Sequence, residues 1–280
     1  MISFDFDYVL PDTVEEAIQA FQRADSLGLD PLYYSGGTEI ITMARLNQLR
    51  TGAIIDVKAI PESNVLLHKD GQWIVGAART LTELTDDNSF PLLTETVLHV
   101  ADQTNRNKIT IGGHLCGKLF YREALLPFLL SDSQVVLASP NGVRQVSIHS
   151  VFNGELRLER GEVLIQIITD QRYLNQPTFT VKRTKMAYID YPIVRICAMN
   201  TGGWMRFAFS GVSTVPFRSQ QIDERLNDHS LPPELRIDQV IRSWPLPVLN
   251  DILASADYRR FVLRNTLSDT LAALERRGDR

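Results

Sequence analysis

Cysteine is scarce in this chain: Cys116 and Cys197 are its two cysteines, and no Cys-x-x-Cys pair occurs. A four-cysteine iron–sulfur cluster or a cysteine-rich zinc site therefore cannot be built from this chain alone, and any such centre belongs on another chain. His114-Leu115-Cys116 sets two ligand types close together, but no further His or Cys stands near in sequence, so no metal site is expected. Long apolar runs are missing as well, and nothing approaches the roughly 20 residues of a membrane span. The opening Met1-Ile2-Ser3-Phe4-Asp5 has neither a basic stretch nor an apolar leader, so the expectation is a cytoplasmic chain without a membrane partner. Excess positive charge is also absent: 29 Lys+Arg against 33 Asp+Glu give a formal net charge of −4, which removes the sequence-wide drive toward nucleic acid. No Gly-x-Ser-x-Gly elbow, His-Glu-x-x-His pair, Walker loop or acid pair stands out, so no catalytic side chain for hydrolysis or phosphoryl transfer is named.

What is present starts with a hydrophobic content of 44% in 280 residues, enough for a large buried core in one large domain or two. Leu32-Tyr33-Tyr34 reads as a short strand running into Ser35-Gly36-Gly37 and then a helix through Thr38, Glu39 and Ile40. Adjacent glycines let backbone N–H groups approach an anion without Cβ interference, and a following helix aims its positive end at the same point. An ordinary strand-to-helix turn would look the same. Thr110-Ile111-Gly112-Gly113-His114 repeats the hydroxyl, apolar, paired-glycine order, and two such turns facing one another could hold both phosphates of a dinucleotide.

The rest reads in order. Thr13 followed by Glu16 is a helix-start signature, with Val14, Ala17, Ile18 and Phe21 as one buried stripe. Ala53–Val57 is a buried strand, which completes a βαβ beginning. Asp70-Gly71 between two β-rich runs predicts a hairpin ending at Gly76-Ala77-Ala78, small residues that admit either a ligand or a second backbone. Helices over 81–86, 90–100 and 122–130 precede strands at 134–138, 143–147 and 163–168, and the polar segment 170–177 is the expected domain boundary. Beyond it, three strands with short turns predict an antiparallel sheet, followed by helices over 219–227, 233–243 and 255–275. On the last helix, Tyr258, Phe261, Val262, Asn265 and Leu271 are expected to face the sheet, with Arg259, Arg260 and Arg264 toward water or a partner.

With these residues in view, nearly the whole chain resembles the FAD-binding (medium) subunit of the molybdenum hydroxylases, the xanthine dehydrogenase and carbon monoxide dehydrogenase group. The resemblance is carried by Pro11-x-x-Val14-x-Glu16-Ala17, by Ser35–Ile40, by Ala53–Val57 and Trp73–Ala77, and by Thr110–Gly113. Arg206–Val212 with Pro216, and Ala256-x-Tyr258-Arg259, are similar to its C-terminal domain. The resemblance implies an α+β fold: a two-subdomain α/β FAD-binding domain of the vanillyl-alcohol-oxidase (PCMH-like) kind over 1–170, divided near 57, and a small antiparallel-sheet-plus-helices domain over 177–280. It implies an FAD-dependent oxidoreductase subunit that passes electrons from [2Fe–2S] clusters on a small partner subunit to NAD or another acceptor, with molybdopterin on a large partner subunit. Cofactor contacts would fall at Leu32, Tyr33, Tyr34, Ser35, Gly36, Gly37, Thr38, Glu39 and Ile40 around the pyrophosphate. Thr110, Ile111, Gly112, Gly113, His114 and Gly117 would meet it from the other subdomain, Val163 or Leu164 would pack near adenine or flavin, and Lys182 would lie near the isoalloxazine.

The chain departs from the family in two places. His114 stands where Asn is usual, and Phe120-Tyr121-Arg122-Glu123 replaces a Pro-x-x-Asp run that holds the ribose, so Glu123 is carried over as the ribose acceptor. These departures keep open an FAD-less scaffold that kept the fold. A free-standing flavin oxidase is the other alternative.

Overall fold

The computed structural model describes residues 2–187 and 189–278. The first segment reads β1 (Asp7–Val9), α1 (Val14–Ser26), β2 (Leu32–Tyr34), α2 (Thr38–Arg45) and β3 (Ala53–Asp56). Thr13 caps α1 by accepting the Glu16 amide at 3.1 Å, and Ala17, Phe21 and Ala24 form its buried stripe. The three strands pair in parallel in the order β1-β3-β2. β3 is buried on both faces, as the centre of a parallel sheet must be. Ile55 meets α1 in one core cluster, while Ile54 and Asp56 face a cavity of about 230 Å³ that α2 also lines.

The second segment comprises β4 (Leu66–Lys69), β5 (Gln72–Gly76), α3 (Leu81–Asp87), α4 (Pro91–Val97), α5 (Gln103–Arg106), α6 (Ile111–Cys116), α7 (Leu125–Leu130), β6 (Gln134–Ser139), β7 (Gly142–Ser147), α8 (Ile148–Val151) and β8 (Val163–Asp170). Its five strands form an antiparallel sheet ordered β4-β5-β8-β6-β7. The hairpin at Asp70-Gly71 turns with both residues at positive φ, 51° and 73°, the left-handed pair that matches strand twist. One face of this sheet and α3, α4, α6 and α7 enclose the largest core cluster, around Trp73, Phe90 and Phe128.

The third segment holds β9 (Thr178–Thr184), β10 (Pro192–Thr201), β11 (Trp204–Ser210), β12 (Phe217–Arg218), α9 (Gln220–Leu226), α10 (Pro233–Arg242) and α11 (Ala256–Gly278), with the sheet ordered β12-β11-β10-β9 and antiparallel throughout. Ile196, Ala198, Phe207 and Phe209 face the helices, while Cys197, Met199 and Ala208 on the other face join the core of the second segment. Period-two alternation along a strand thus serves two cores at once.

Basic side chains of this third sheet reach helix ends of the second segment. Arg195 donates to Thr96 O at 3.1 Å in the last turn of α4, and Lys182 Nζ to His99 O at 2.8 Å beyond it. Arg206 donates to Leu130 O at 2.7 Å and Arg218 to Leu129 O at 3.1 Å, both also gripping Asp132. Cations at helix C-termini satisfy orphan carbonyls and complement the dipole.

The last helix corrects part of the expectation drawn from its sequence: Leu271 is buried, Val262 packs on the core and Arg260 and Arg264 are exposed as expected, but Arg259 and the two aromatic residues exchange places. Arg259 is fully buried and donates to Ile193 O at 2.9 Å, Gly211 O at 2.6 Å and Asp251 at 2.7 Å, whereas Tyr258 is 52% and Phe261 61% exposed. The buried stripe is Leu263, Leu267, Leu271 and Leu274. The helix therefore docks about one position round from the aromatic side, because uncapped strand-end carbonyls need a donor more than the sheet needs two rings.

Candidate functional site

The site is built where the first two segments meet. β2 and β3 are neighbouring parallel strands, so the turn after Tyr34 and the Asp56-Val57-Lys58 exit lie together at the carboxyl edge of the sheet, the usual place for ligands in such sheets. Gly37 is the N-cap of α2 at φ 69°, a left-handed conformation, and the Tyr34 ring lies so close that a Cβ there would sit 2.2 Å from it. Gly36 packs against the other segment: a Cβ on it would fall 1.9 Å from Lys108 O and 3.1 Å from Thr110 N. The first glycine turn thus meets, through backbone, the stretch immediately ahead of the Gly112-Gly113 pair.

At the first turn the donors are unclaimed. The amides of Gly36, Gly37, Thr38, Glu39 and Ile40 donate to no acceptor among the described residues, and the Ser35 hydroxyl is buried without a partner. A buried hydroxyl left unpaired costs about 1–3 kcal/mol, so this cluster fits an acceptor-rich group such as a diphosphate.

The second turn differs from the sequence expectation. Thr110 caps the short helix α6, which contains the glycine pair instead of following it. Ile111 N donates to Arg79 O and Gly112 N to Ala77 O, both at 2.8 Å, and Gly113 N donates to Thr110 Oγ1 at 3.3 Å. Gly112 lies against Ala77, where a Cβ would meet the Ala77 Cβ at 2.6 Å, so the small residues after β5 admit a second backbone. These amides already have acceptors within the fold, and the stretch just ahead of them packs against the first turn.

Glu39 is committed as well. Its carboxylate accepts from Lys118 N at 2.7 Å and Leu119 N at 3.4 Å, and a Cβ on Gly117 would meet Glu39 Oε2 at 2.7 Å. Tyr33 stacks on Phe21 with ring centroids 4.9 Å apart and donates to Gly161 O at 2.9 Å, while Leu32 and Ile40 are half-buried. His114 is half-buried, and its Nε2 accepts from Ala124 N at 3.3 Å. Burial, with Arg122 and Lys182 nearby, pushes the imidazole down to about 4, so the ring is neutral with its proton on Nδ1.

Glu123 and Lys182, expected at separate parts of a cofactor, are partners: Lys182 Nζ lies 2.8 Å from Glu123 Oε1, both side chains are buried, and Arg195 Nε stands 3.7 Å from Oε2. Burial holds the Lys182 ammonium below its ordinary pKa. Glu123 therefore faces two cations of the third segment through its carboxylate, while its Oε2 has no hydrogen-bond partner among the described residues. Val163 and Leu164 are buried on opposite faces of β8, Val163 toward α1 and Leu164 in the larger core. Sequence reasoning missed Lys58, whose Nζ lies 3.2 Å from Ser35 O; its place just after a parallel strand was the available signal.

A family model described as the FAD binding domain in molybdopterin dehydrogenase matches residues 4–169, more than half of the chain. The chain belongs to this family. It is 26% identical over 207 residues to the xanthine dehydrogenase FAD-binding subunit of Escherichia coli, covering 68% of this chain and 70% of that one. It is 25% identical over 284 residues to the 6-hydroxypseudooxynicotine dehydrogenase complex subunit alpha of Paenarthrobacter nicotinovorans, covering 95% and 93%. In fold it is similar to a chain of the Hydrogenophaga pseudoflava carbon monoxide dehydrogenase that lacks the Mo-pyranopterin moiety, with a TM-score of 0.87 at 23% identity over 99% of both chains. This member of the family is an FAD-binding oxidoreductase subunit of the xanthine and carbon monoxide dehydrogenase group. Among the described residues no helix is long and apolar enough to cross a membrane.

Proposed function

We propose that this chain is the electron-transfer subunit of a molybdenum-containing hydroxylase, set between [2Fe–2S] clusters on a small partner chain and NAD or another acceptor, with substrate oxidised at a molybdopterin centre on a large partner chain. The observation that carries this reading is the first glycine turn, whose free amides and unpaired buried hydroxyl sit at the carboxyl edge of a parallel sheet. FAD, when bound, supplies the exchange between one-electron and two-electron carriers. The chain's own residues bind and orient it. Ser35 to Ile40 present donors to the diphosphate, and Thr110 to His114 support that turn from behind. Gly117 leaves room for Glu39, which ties the two segments together. Val163 or Leu164 packs toward the ring systems, and Glu123 holds Lys182 with one oxygen and leaves the other for the ribose.

The test is the purified full chain. A flavin spectrum with one FAD per chain, and co-purification from its native host of an iron–sulfur chain and a molybdopterin chain, is the expected result. A colourless chain that takes up no added FAD overturns the reading and leaves a scaffold; a flavin-loaded chain that turns over substrate alone points to a free-standing oxidase.

A further inference from the structure

A diphosphate brings negative charge to a turn whose own donors are neutral. The positive end of α2 contributes roughly half a charge, and Glu39 in the first turn of that helix works against it. Lys58 brings an ammonium to the same place. Its Nζ donates to Ser35 O at 3.2 Å and to Asp56 Oδ2 at 2.6 Å, and lies 4.5 Å from the centroid of the Tyr34 ring that covers Gly37. The Lys58 side chain is 47% exposed while Asp56 is 1% exposed. Asp56 also accepts from Tyr8 OH at 2.6 Å and from Lys58 N at 3.0 Å, so it is anchored on the sheet and holds the ammonium at the turn.

We infer that Lys58 is a charge partner of the cofactor diphosphate at the first glycine turn, with Asp56 positioning it. The inference rests on the proposed function, because it presumes that the turn takes FAD. A compact ammonium on a flexible stem suits phosphate as a point charge and can swing from a carbonyl to a phosphate oxygen without moving the backbone. Because the group is half-exposed, its attraction is screened by salt.

The experiment is titration of the flavin-stripped full chain with FAD, followed by quenching of flavin fluorescence, at about 0.01 M and about 1 M ionic strength. Lys58→Gln is expected to bind FAD roughly ten-fold more weakly at low ionic strength, with the gap closing at high ionic strength, and Lys58→Arg to stay near the parent. Equal affinities of the parent and Lys58→Gln at low ionic strength overturn the inference, as does a loss of equal size at both. A parent chain that binds no FAD at all sinks the proposed function itself, so the two failures are distinguishable.

Discussion

The two glycine pairs share a sequence pattern and differ in what their amides do. At Gly36-Gly37 the N–H groups are free and a buried hydroxyl lacks an acceptor, whereas at Gly112-Gly113 the N–H groups close a helix and a short backbone ladder to Ala77. One pair therefore has amides without an acceptor among the described residues, and the other has its amides already paired within the fold. A glycine pair signals close approach of something; only its hydrogen-bond partners tell whether that is a ligand or another stretch of backbone.

The comparison can be broken most severely at Gly36. In Gly36→Val the new Cβ meets Lys108 O, so the turns are forced apart; a loss of about 3 kcal/mol in urea unfolding and failure to retain FAD are expected. Gly112→Ala should cost about 2 kcal/mol through its clash with Ala77, while the folded fraction still takes up FAD one to one by absorbance.

A milder test uses pH. The His114 pKa is lowered in the fold from 6.5 to about 4, so between those values the unfolded chain binds the extra proton. Stability then falls as pH drops through that window, by at most about 1.4 kcal/mol per pH unit. His114→Asn should flatten this slope in unfolding measured across the window; an unchanged slope would show that another group is responsible. The smallest effect is expected from Glu39→Gln, which weakens the grip on the Lys118 and Leu119 amides by about 1 kcal/mol without lowering FAD affinity. A fall in affinity larger than the fall in stability would place Glu39 on the ligand side of the comparison.

Much of this is legible from local signals. The strand at Leu32–Tyr34, the Asp70-Gly71 hairpin and the Thr13 cap each depend on residues a few positions apart. The helix α6 is not legible, since two glycines argue against a helix and its support comes from Ala77 and Arg79. The buried face of α11 escapes a local reading because Arg259 finds its acceptors on Ile193 and Gly211, far away in the chain. The pairing of Glu123 with Lys182 spans 59 residues and leaves no periodic trace.

By itself the sequence determined where the chain turns, which stretches are strands, and that a close backbone approach occurs at two glycine pairs, because these follow from steric and periodic rules acting over a few residues. The tertiary structure alone decided which pair keeps its amides free and which charges neutralise one another. Those outcomes depend on acceptors that folding delivers from distant parts of the chain.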